Sequence, residues 1–174
     1  DNGDEWLKKR TAPFILRRLK RNILKELPDK TEQIITLRLS ETQSTLYKGI
    51  VDTIKQSQKQ MKGKYAIHVL TAILRLRQLC ISPRLLDQET EDLSPKFNYL
   101  CQTIPDILEN NHSCLVYSQF TQVLDQLETI FTDRNIAYLR IDGSVSAKKR
   151  QAIVTQFQAQ SSPPMVLMMT LKTG

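Results

Sequence analysis

The sequence has few of the residues that build metal sites and disulfide frameworks. Its three cysteines, Cys80, Cys101 and Cys114, lie far apart and form no CxxC pair. The two histidines, His68 and His112, stand at no metal-ligand spacing to them. Because zinc sites need clustered Cys and His, and disulfide frameworks need paired cysteines, we expect neither. Scattered thiols of this kind are typical of a reduced, intracellular environment.

Long apolar runs and aromatic residues are also scarce. No stretch reaches the roughly 20 apolar residues that a membrane-spanning helix needs, and the acidic start of the sequence, residues 1–5, is unlike a secretory signal. Only 6% of the residues are aromatic, and most of them fall on apolar helix faces or inside strands. The sequence therefore argues against a membrane partner and against a row of exposed rings that stacks single-stranded bases.

Acidic residues are absent from two stretches of the chain. Residues 7–25 contain eight Lys or Arg and residues 53–86 contain seven, with no Asp or Glu in either stretch. The whole chain carries a formal charge of +7, although the part outside these stretches is net negative. Each basic run by itself is typical of a solvated helix face. The two together favour a phosphate-bearing polymer as the partner.

The second half of the chain alternates helices and strands. Hydrophobic periodicity separates strands at residues 114–117, 136–141 and 166–169 from helices at residues 97–108, 120–131 and 147–158. Strands joined by helices of this length are parallel. We therefore predict an α/β fold with a parallel sheet. Ligands of such sheets bind at the carboxyl ends of the strands, which are residues 118–120, 142–144 and 170–174.

The first half of the chain has a different pattern. Apolar residues recur at helical spacing over residues 13–26, and they alternate with polar residues over 31–39, as in a strand. Ser40 and Gln43 have the spacing of a capping box, so a long helix should begin there and extend to about residue 62. A second helix over residues 65–80 should pack against it as a helical hairpin.

Blocks of sequence at the predicted strand ends resemble a known family. These blocks are residues 116–120 (VYSQF), residues 142–144 (DGS) with Arg150 and Phe157, and residues 169–174 (MTLKTG). In this order and spacing they resemble motifs IV, IVa and V in the second RecA-like lobe of the Swi/Snf-like ATPases, a branch of helicase superfamily two. Residues 74–80 (LRLRQLC) with Pro83 are similar to the helix of the small insert in this branch. The resemblance extends over about residues 14–174.

The resemblance implies an incomplete RecA-like lobe, with a parallel sheet and flanking helices, plus a small α-helical hairpin subdomain. It divides the chain into an interlobe linker and helix (1–31), a strand joining the lobe-two sheet (32–40), a helical insert (41–93) and the first part of the helicase lobe (94–174), truncated within motif V. Four residues depart from the family's pattern. Ile81 and Ser82 replace an Asn-His pair frequent in eukaryotic relatives, Pro95 stands where a glycine is usual, and Val145 replaces a common threonine. These departures favour a prokaryotic protein of the cytoplasm or nucleoid over a nuclear one.

The function that the resemblance implies is that of an ATP-dependent translocase on double-stranded DNA, of the chromatin-remodelling type. In this family ATP and Mg²⁺ are bound mainly by the first lobe and by motif VI. The chain contains neither motif VI nor a GxxxxGK[ST] phosphate loop. We therefore expect no ATP hydrolysis from this chain alone. The implied partners are double-stranded DNA, the first RecA-like lobe of the same protein, and a DNA-bound protein such as RNA polymerase or histones.

The resemblance assigns no catalytic residue to this chain and implies two kinds of contact. Arg17 and Arg18 are expected at the interface between the lobes. The residues expected to contact the DNA backbone are Ser118, Gln119, Gly143, Ser144, Lys148, Arg150, Thr170 and Lys172. Simpler interpretations stand beside these roles, because Ser118 could serve only as a helix N-cap and residues 142–144 could form only a turn.

Two other functions fit parts of the same pattern. One is an RNA or single-strand helicase lobe of the same superfamily, against which the helical hairpin and the RLRQ block argue. The other is a non-catalytic scaffold that binds DNA or a protein through its basic helices. Flanking sequence would discriminate between them, since a phosphate loop upstream and an arginine-rich motif VI downstream belong to the motor.

Overall fold

The computed structural model describes residues 2–15, 30–57, 65–90, 92–159 and 162–171. The chain divides into two compact units, residues 1–36 and residues 37–174. In the first unit, helix α1 spans Asn2–Thr11. The Arg10 guanidinium lies over the Trp6 ring, 4.7 Å from its centroid, and acidic residues in the first turn and basic ones in the last suit the helix dipole.

Hydrophobic periodicity does not predict α1, because Trp6 and Leu7 are its only large apolar residues. The predicted start of the helix over residues 13–26 is wrong, since residues 12–14 form a turn and Ile15 is not helical. The remainder of that predicted helix lies outside the described residues.

Residues 30–40 form neither a helix nor a strand, so the strand predicted at 32–40 is wrong. The alternation of apolar and polar residues needs a neighbouring strand and a buried face to produce a strand. Residues 30–40 have neither among the described residues, since Ile34 is 92% exposed and the described sheet consists of three strands from the second half of the chain.

The helical hairpin is confirmed. Helix α2 spans Glu41–Ser57 and helix α3 spans Tyr65–Leu79, and the two pack against each other. The capping box at the start of α2 is formed in both directions. The Ser40 N–H donates to Gln43 Oε1 (3.1 Å), and the Gln43 N–H donates to Ser40 Oγ (3.1 Å). Residues 58–64, which include the predicted end of α2, lie outside the described part.

Polar contacts connect the base of the hairpin to the following segment. Gln43 is 1% exposed, and its Nε2 donates to the carbonyl of Leu79 (2.7 Å), which is one of the carbonyls left open at the end of α3. Ser40 Oγ donates to Asp92 Oδ2 (2.5 Å). The Ser94 hydroxyl donates to the carbonyl of Ile81. These bonds hold the hairpin at its base.

The predicted parallel sheet is confirmed. Its strands are β1 (Cys114–Ser118), β2 (Tyr138–Ile141) and β3 (Val166–Thr170), and the intervening helices are α4 (Pro95–Glu109), α5 (Thr121–Asp133) and α6 (Ala147–Gln158). The strand order is β1-β3-β2, and both pairings are parallel. Helix α4 precedes β1 and begins at its N-cap Ser94, with Pro95 in the first position, where a missing N–H costs nothing.

The core lies on both faces of β3, the central strand, in which every residue is buried. One face packs against α4 and α5, and the other packs against Ile153, Val154 and Phe157 of α6. The buried residues on the side of α4 and α5 are Phe97, Ile104, Val123, Leu124, Leu127, Phe131, Val166 and Met168. A strand covered on both faces is what a parallel sheet needs. The sheet therefore provides a rigid base for the loops at its carboxyl edge.

Candidate nucleic-acid interface

The carboxyl ends of the three strands meet at one edge of the sheet. Ser118 is in register with Thr170, and Ile141 is in register with Met169, so Asp142 follows at the same level. The N–H of the residue after β3 donates to the carbonyl of Ser118 (2.9 Å), which continues the pairing past the last ladder position. The described parts of the three segments that the sequence predicts to form a site, residues 118–120, 142–144 and 170–171, thus lie side by side. We call residues 118–120, 142–150 and 170–171 the carboxyl edge.

Ser118 closes the turn after β1 and does not cap the next helix. Its side chain is buried at 7% exposure. Its Oγ accepts a hydrogen bond from the Phe120 N–H (3.1 Å) and donates to the Phe120 carbonyl (3.2 Å). The N-cap of α5 is Phe120, which offers no side-chain cap. The expectation that Ser118 caps this helix is therefore wrong, because the helix begins two residues too late for its side chain.

Gln119 connects the carboxyl edge to the helical hairpin. Its Oε1 accepts a hydrogen bond from Nη2 of Arg77, on α3. Beside this bond lies an open groove of about 480 Å³ whose lining also includes Lys96, in the first turn of α4, and Tyr47 of α2. Neither Arg77 nor Lys96 was among the predicted site residues. The acid-free run at 53–86 and the RLRQ block were the sequence signals for Arg77.

Asp142 organises the loop between β2 and α6. Its Oδ1 accepts hydrogen bonds from the Ser144 N–H (2.9 Å) and the Ser144 hydroxyl (2.6 Å). Its Oδ2 accepts one from Nε of Arg140 (2.8 Å). The bonds from Ser144 and then the contact with Arg140 hold the pKa of the Asp142 carboxyl below its usual value, against the opposing effect of burial. Asp142 is therefore an ionised structural acceptor.

Arg140 projects from β2 into a cluster of three carboxylates. Its Nη1 lies 2.7 Å from Asp125 Oδ1 and 2.7 Å from Glu128 Oε2, both on α5. Its Nε lies 2.8 Å from Asp142 Oδ2. Burial disfavours the charged guanidinium, but hydrogen bonds to Asp125, Asp142 and Glu128 outweigh burial and raise the pKa of Arg140. An arginine inside an apolar strand was the sequence signal for this cluster, and it was missed.

Gly143 and Ser144 contribute to the edge in different ways. A side chain at Gly143 would meet no atom within 4 Å, so no neighbour requires a glycine there. Ser144 is exposed, and both its hydrogen-bond donors are directed to Asp142. Residues 142–144 thus form a turn, as the simpler interpretation of the sequence predicts. A phosphate contact through the Ser144 donors would require them to leave Asp142.

The first turn of α6 carries three cations. Ser146 caps the helix, because its Oγ accepts the N–H of Lys149 (3.4 Å). Lys148 and Lys149 are exposed, and Arg150 is half-buried. No acidic residue accompanies them in that turn. Cations at a helix N-terminus oppose the helix dipole, so their position does not serve the stability of α6, whereas it suits an anion bound at the edge.

The other expected site residues have different outcomes. Thr170 ends β3 beside Ser118 and is 6% exposed, so little of this residue is accessible to a ligand. Lys172, Arg17 and Arg18 lie outside the described residues. Their predicted contacts stay predictions.

No part of the described chain resembles a metal or membrane site. Among the described residues, no group of three or more His, Cys, Asp or Glu side chains could hold a metal ion, and the carboxylates around Arg140 are occupied by its guanidinium. No described helix is both long and apolar enough to span a bilayer. The three cysteines are free thiols, and burial raises the pKa of Cys101 and of Cys114, which makes both less reactive.

The chain is similar to known proteins along its whole length. The family model of the SNF2-related domain matches residues 1–85, and that of the helicase conserved C-terminal domain matches residues 95–174. A Sulfolobus solfataricus SWI2/SNF2 ATPase core in complex with double-stranded DNA aligns with 98% of this chain and 38% of its own, with a TM-score of 0.74 and 26% sequence identity. These matches define a helicase lobe with an α/β fold, as the sequence predicts.

Two similar proteins help to identify the family to which the chain belongs. An uncharacterized ATP-dependent helicase of Mycoplasma pneumoniae is 34% identical over 174 residues, which is 100% of this chain and 17% of that protein. The transcription regulatory protein SNF2 of Saccharomyces cerevisiae is 27% identical over 186 residues, covering 97% of this chain and 11% of that protein. The chain belongs to the Swi/Snf-like ATPase family of helicase superfamily two. It spans about a sixth or less of the length of these two relatives.

Proposed function

We propose that this chain is the part of an ATP-dependent double-stranded DNA translocase that holds the DNA backbone at the carboxyl edge of its sheet. The observation that carries the proposal is the convergence of three strand ends with the cationic first turn of α6. Phosphates are the only feature of DNA that such an edge can bind without regard to sequence. A protein that moves along DNA needs this indifference to sequence.

ATP is bound elsewhere in this proposal. The transferred phosphoryl group needs a phosphate-binding loop, metal and cationic side chains, and the sequence has no such loop. A first RecA-like lobe of the same protein would supply the loop and Mg²⁺, with Arg17 and Arg18 at the contact between the lobes. Opening and closing of the two lobes would then move the carboxyl edge along the duplex.

The physiological setting follows from the same proposal. The partner is double-stranded DNA, with a DNA-bound protein such as RNA polymerase or histones as the obstacle or substrate. The 34% identity to a Mycoplasma protein supports a location in the bacterial cytoplasm or nucleoid, and the yeast relative makes a nucleus the alternative. DNA within the complex of the Sulfolobus relative supports the duplex as the ligand.

The test is charge reversal of Lys148 and Lys149 in the full-length protein. Both side chains are exposed, so the fold should tolerate Lys148→Glu with Lys149→Glu. We expect weaker duplex binding, a slope of log affinity against log salt that is smaller by about 2, and loss of DNA-stimulated ATP hydrolysis with basal hydrolysis retained.

The matched control reverses Lys30 and Lys48, two exposed lysines outside the acid-free stretches and the carboxyl edge, and so changes the net charge equally. Equal effects in the two variants would show that DNA binding depends only on net charge, and this result would contradict a specific role for the carboxyl edge. If the wild-type protein binds single strands or RNA more tightly than duplex DNA, the alternative of an RNA or single-strand helicase is favoured.

A further inference from the structure

Arg140 connects helix α5 to the loop of Asp142 at the carboxyl edge. Strands β1 and β2 are separated by β3. Helix α5 continues from the β1 end, and the loop with Asp142 continues from the β2 end. The Arg140 guanidinium contacts both, through Asp125 and Glu128 on α5 and through Asp142 in the loop, at 2.7–2.8 Å. The hydroxyl of Tyr138 also donates to Glu128 Oε1 (3.1 Å).

The chain of contacts continues from Arg140 to the surface. Arg140 holds Oδ2 of Asp142, and Oδ1 of the same carboxylate holds both donors of Ser144. Ser144 lies two residues before Ser146, the N-cap of α6, whose first turn carries Lys148. Asp142 thus connects Arg140 to the loop that leads into the start of α6.

The Arg140 cluster, defined as Arg140 with Asp125, Glu128 and Asp142, is unsuited to bind DNA directly. One cation among three carboxylates leaves two net negative charges, which repel a phosphate. The Arg140 side chain is only 21% exposed, and its Nε and Nη1 are already bonded to carboxylates. Any contribution of the cluster to DNA binding would therefore come from the position that it gives to the lysines of α6, and not from direct contact with the phosphates.

We propose that Arg140 is a positioning residue that holds the loop of Asp142 and the start of α6 in the arrangement that binds the DNA backbone. This inference rests on the proposed function. The planar guanidinium suits the role because Nε and Nη1 reach carboxylates on two elements in one fixed geometry. An ammonium at the same position has no such fork, so lysine cannot replace it.

The decisive variant in the full-length protein neutralises the two carboxylates of α5, by Asp125→Asn with Glu128→Gln. General electrostatics predicts tighter DNA binding, because two negative charges are removed near the edge. The positioning role predicts the opposite sign, with duplex affinity several-fold weaker, since Arg140 loses its ionic partners on α5. Tighter or unchanged binding overturns the proposal. Both side chains are partly exposed, so the protein should fold.

The second variant is Arg140→Gln, with Arg140→Lys beside it. We expect duplex affinity to fall about tenfold in both, with the salt slope unchanged, because a positioning residue neutralises no phosphate. A slope smaller by about 1 would mean direct contact and would overturn the positioning role. Faster hydrogen exchange of the Ser144 amide should accompany the loss, while exchange in the β3 strand stays slow.

The matched control is Arg134→Gln. Arg134 follows α5 and donates from Nη1 to the carbonyl of Cys101 (3.2 Å), at the end of the helix away from the edge. The Arg134→Gln variant should leave the affinity for duplex DNA unchanged. If reversal of Lys148 and Lys149 weakens binding while the Asp125 and Glu128 variant does not, the inference fails and the proposed function stands. If the lysine reversal has no effect, the proposed function itself fails.

Discussion

The hairpin and the sheet use apolar residues in opposite ways. Around the sheet, Leu124 and Leu127 are fully buried. On α3 of the hairpin, Leu70 is 67% exposed and Ile67 is 68% exposed, although both lie on a regular helix. The sheet region is therefore held together by its own packing. The hairpin depends on the α2–α3 contact and on polar bonds at its base.

Helical periodicity alone therefore does not show where a helix face will be buried. Both regions have amphipathic helices, but a parallel sheet offers two broad apolar faces to cover, whereas two helices offer each other one narrow stripe. Polar contacts then have more influence in the hairpin. Gln43 and the Arg77–Gln119 bond are the contacts that we expect to matter most there.

The largest expected effect compares the same substitution in the two regions. Leu124→Ala in α5 should lower the free energy of unfolding by about 2–5 kcal/mol, because it removes a fully buried side chain and leaves a cavity. Leu70→Ala in α3 should lower it by about 0.5 kcal/mol or less, since that side chain is mostly in water. Urea unfolding of both variants measures the contrast, and equal losses would refute it.

The second prediction concerns the base of the hairpin. Gln43→Ala should lower the free energy of unfolding by about 1–3 kcal/mol, because it leaves the buried carbonyl of Leu79 without its donor and removes half of the capping box. Gln56→Ala, at an exposed position of the same helix, is the control. Hydrogen exchange should become faster throughout α2 and α3 and stay slow in β3. Protection unchanged in the hairpin would show that Gln43 does not anchor it.

The smallest expected effect concerns the bond between the hairpin and the carboxyl edge. Arg77→Ala should cost about 0.5–1 kcal/mol, because the bond to Gln119 is exposed to solvent. Gln119→Ala should cost as much, and the double variant should cost less than the sum, as for residues in contact. Arg75→Ala, exposed on the same helix, is the control. Additive losses in the double-mutant cycle would contradict the coupling.

Local features of the structure were predictable because neighbouring residues create them. The helix over residues 147–158 and the capping box of Ser40 and Gln43 depend on spacings of three to four residues. Strand β3 was recognisable as a short apolar run. The strand predicted at 32–40 failed because alternation records only a preference, and pairing depends on an edge contributed by distant residues.

The candidate site was predictable only in outline. Parallel strands bring their carboxyl ends together by topology, so the edge with Ser118, Asp142 and Thr170 followed from the order of elements. The contacts of Arg77 and Arg140 did not. Arg77 and Gln119 are 42 positions apart, and no local rule states which side chain of a helix will reach which strand end.

Local periodicity, composition and ordered motifs were enough to predict the helices and strands of the second half, their parallel connection, the segregated charge and the family. Tertiary packing was needed to bring three carboxylates to Arg140, to direct the donors of Ser144 to Asp142, and to leave Ile34 exposed to water. These outcomes depend on distances between residues far apart in the chain, and such distances are set by packing.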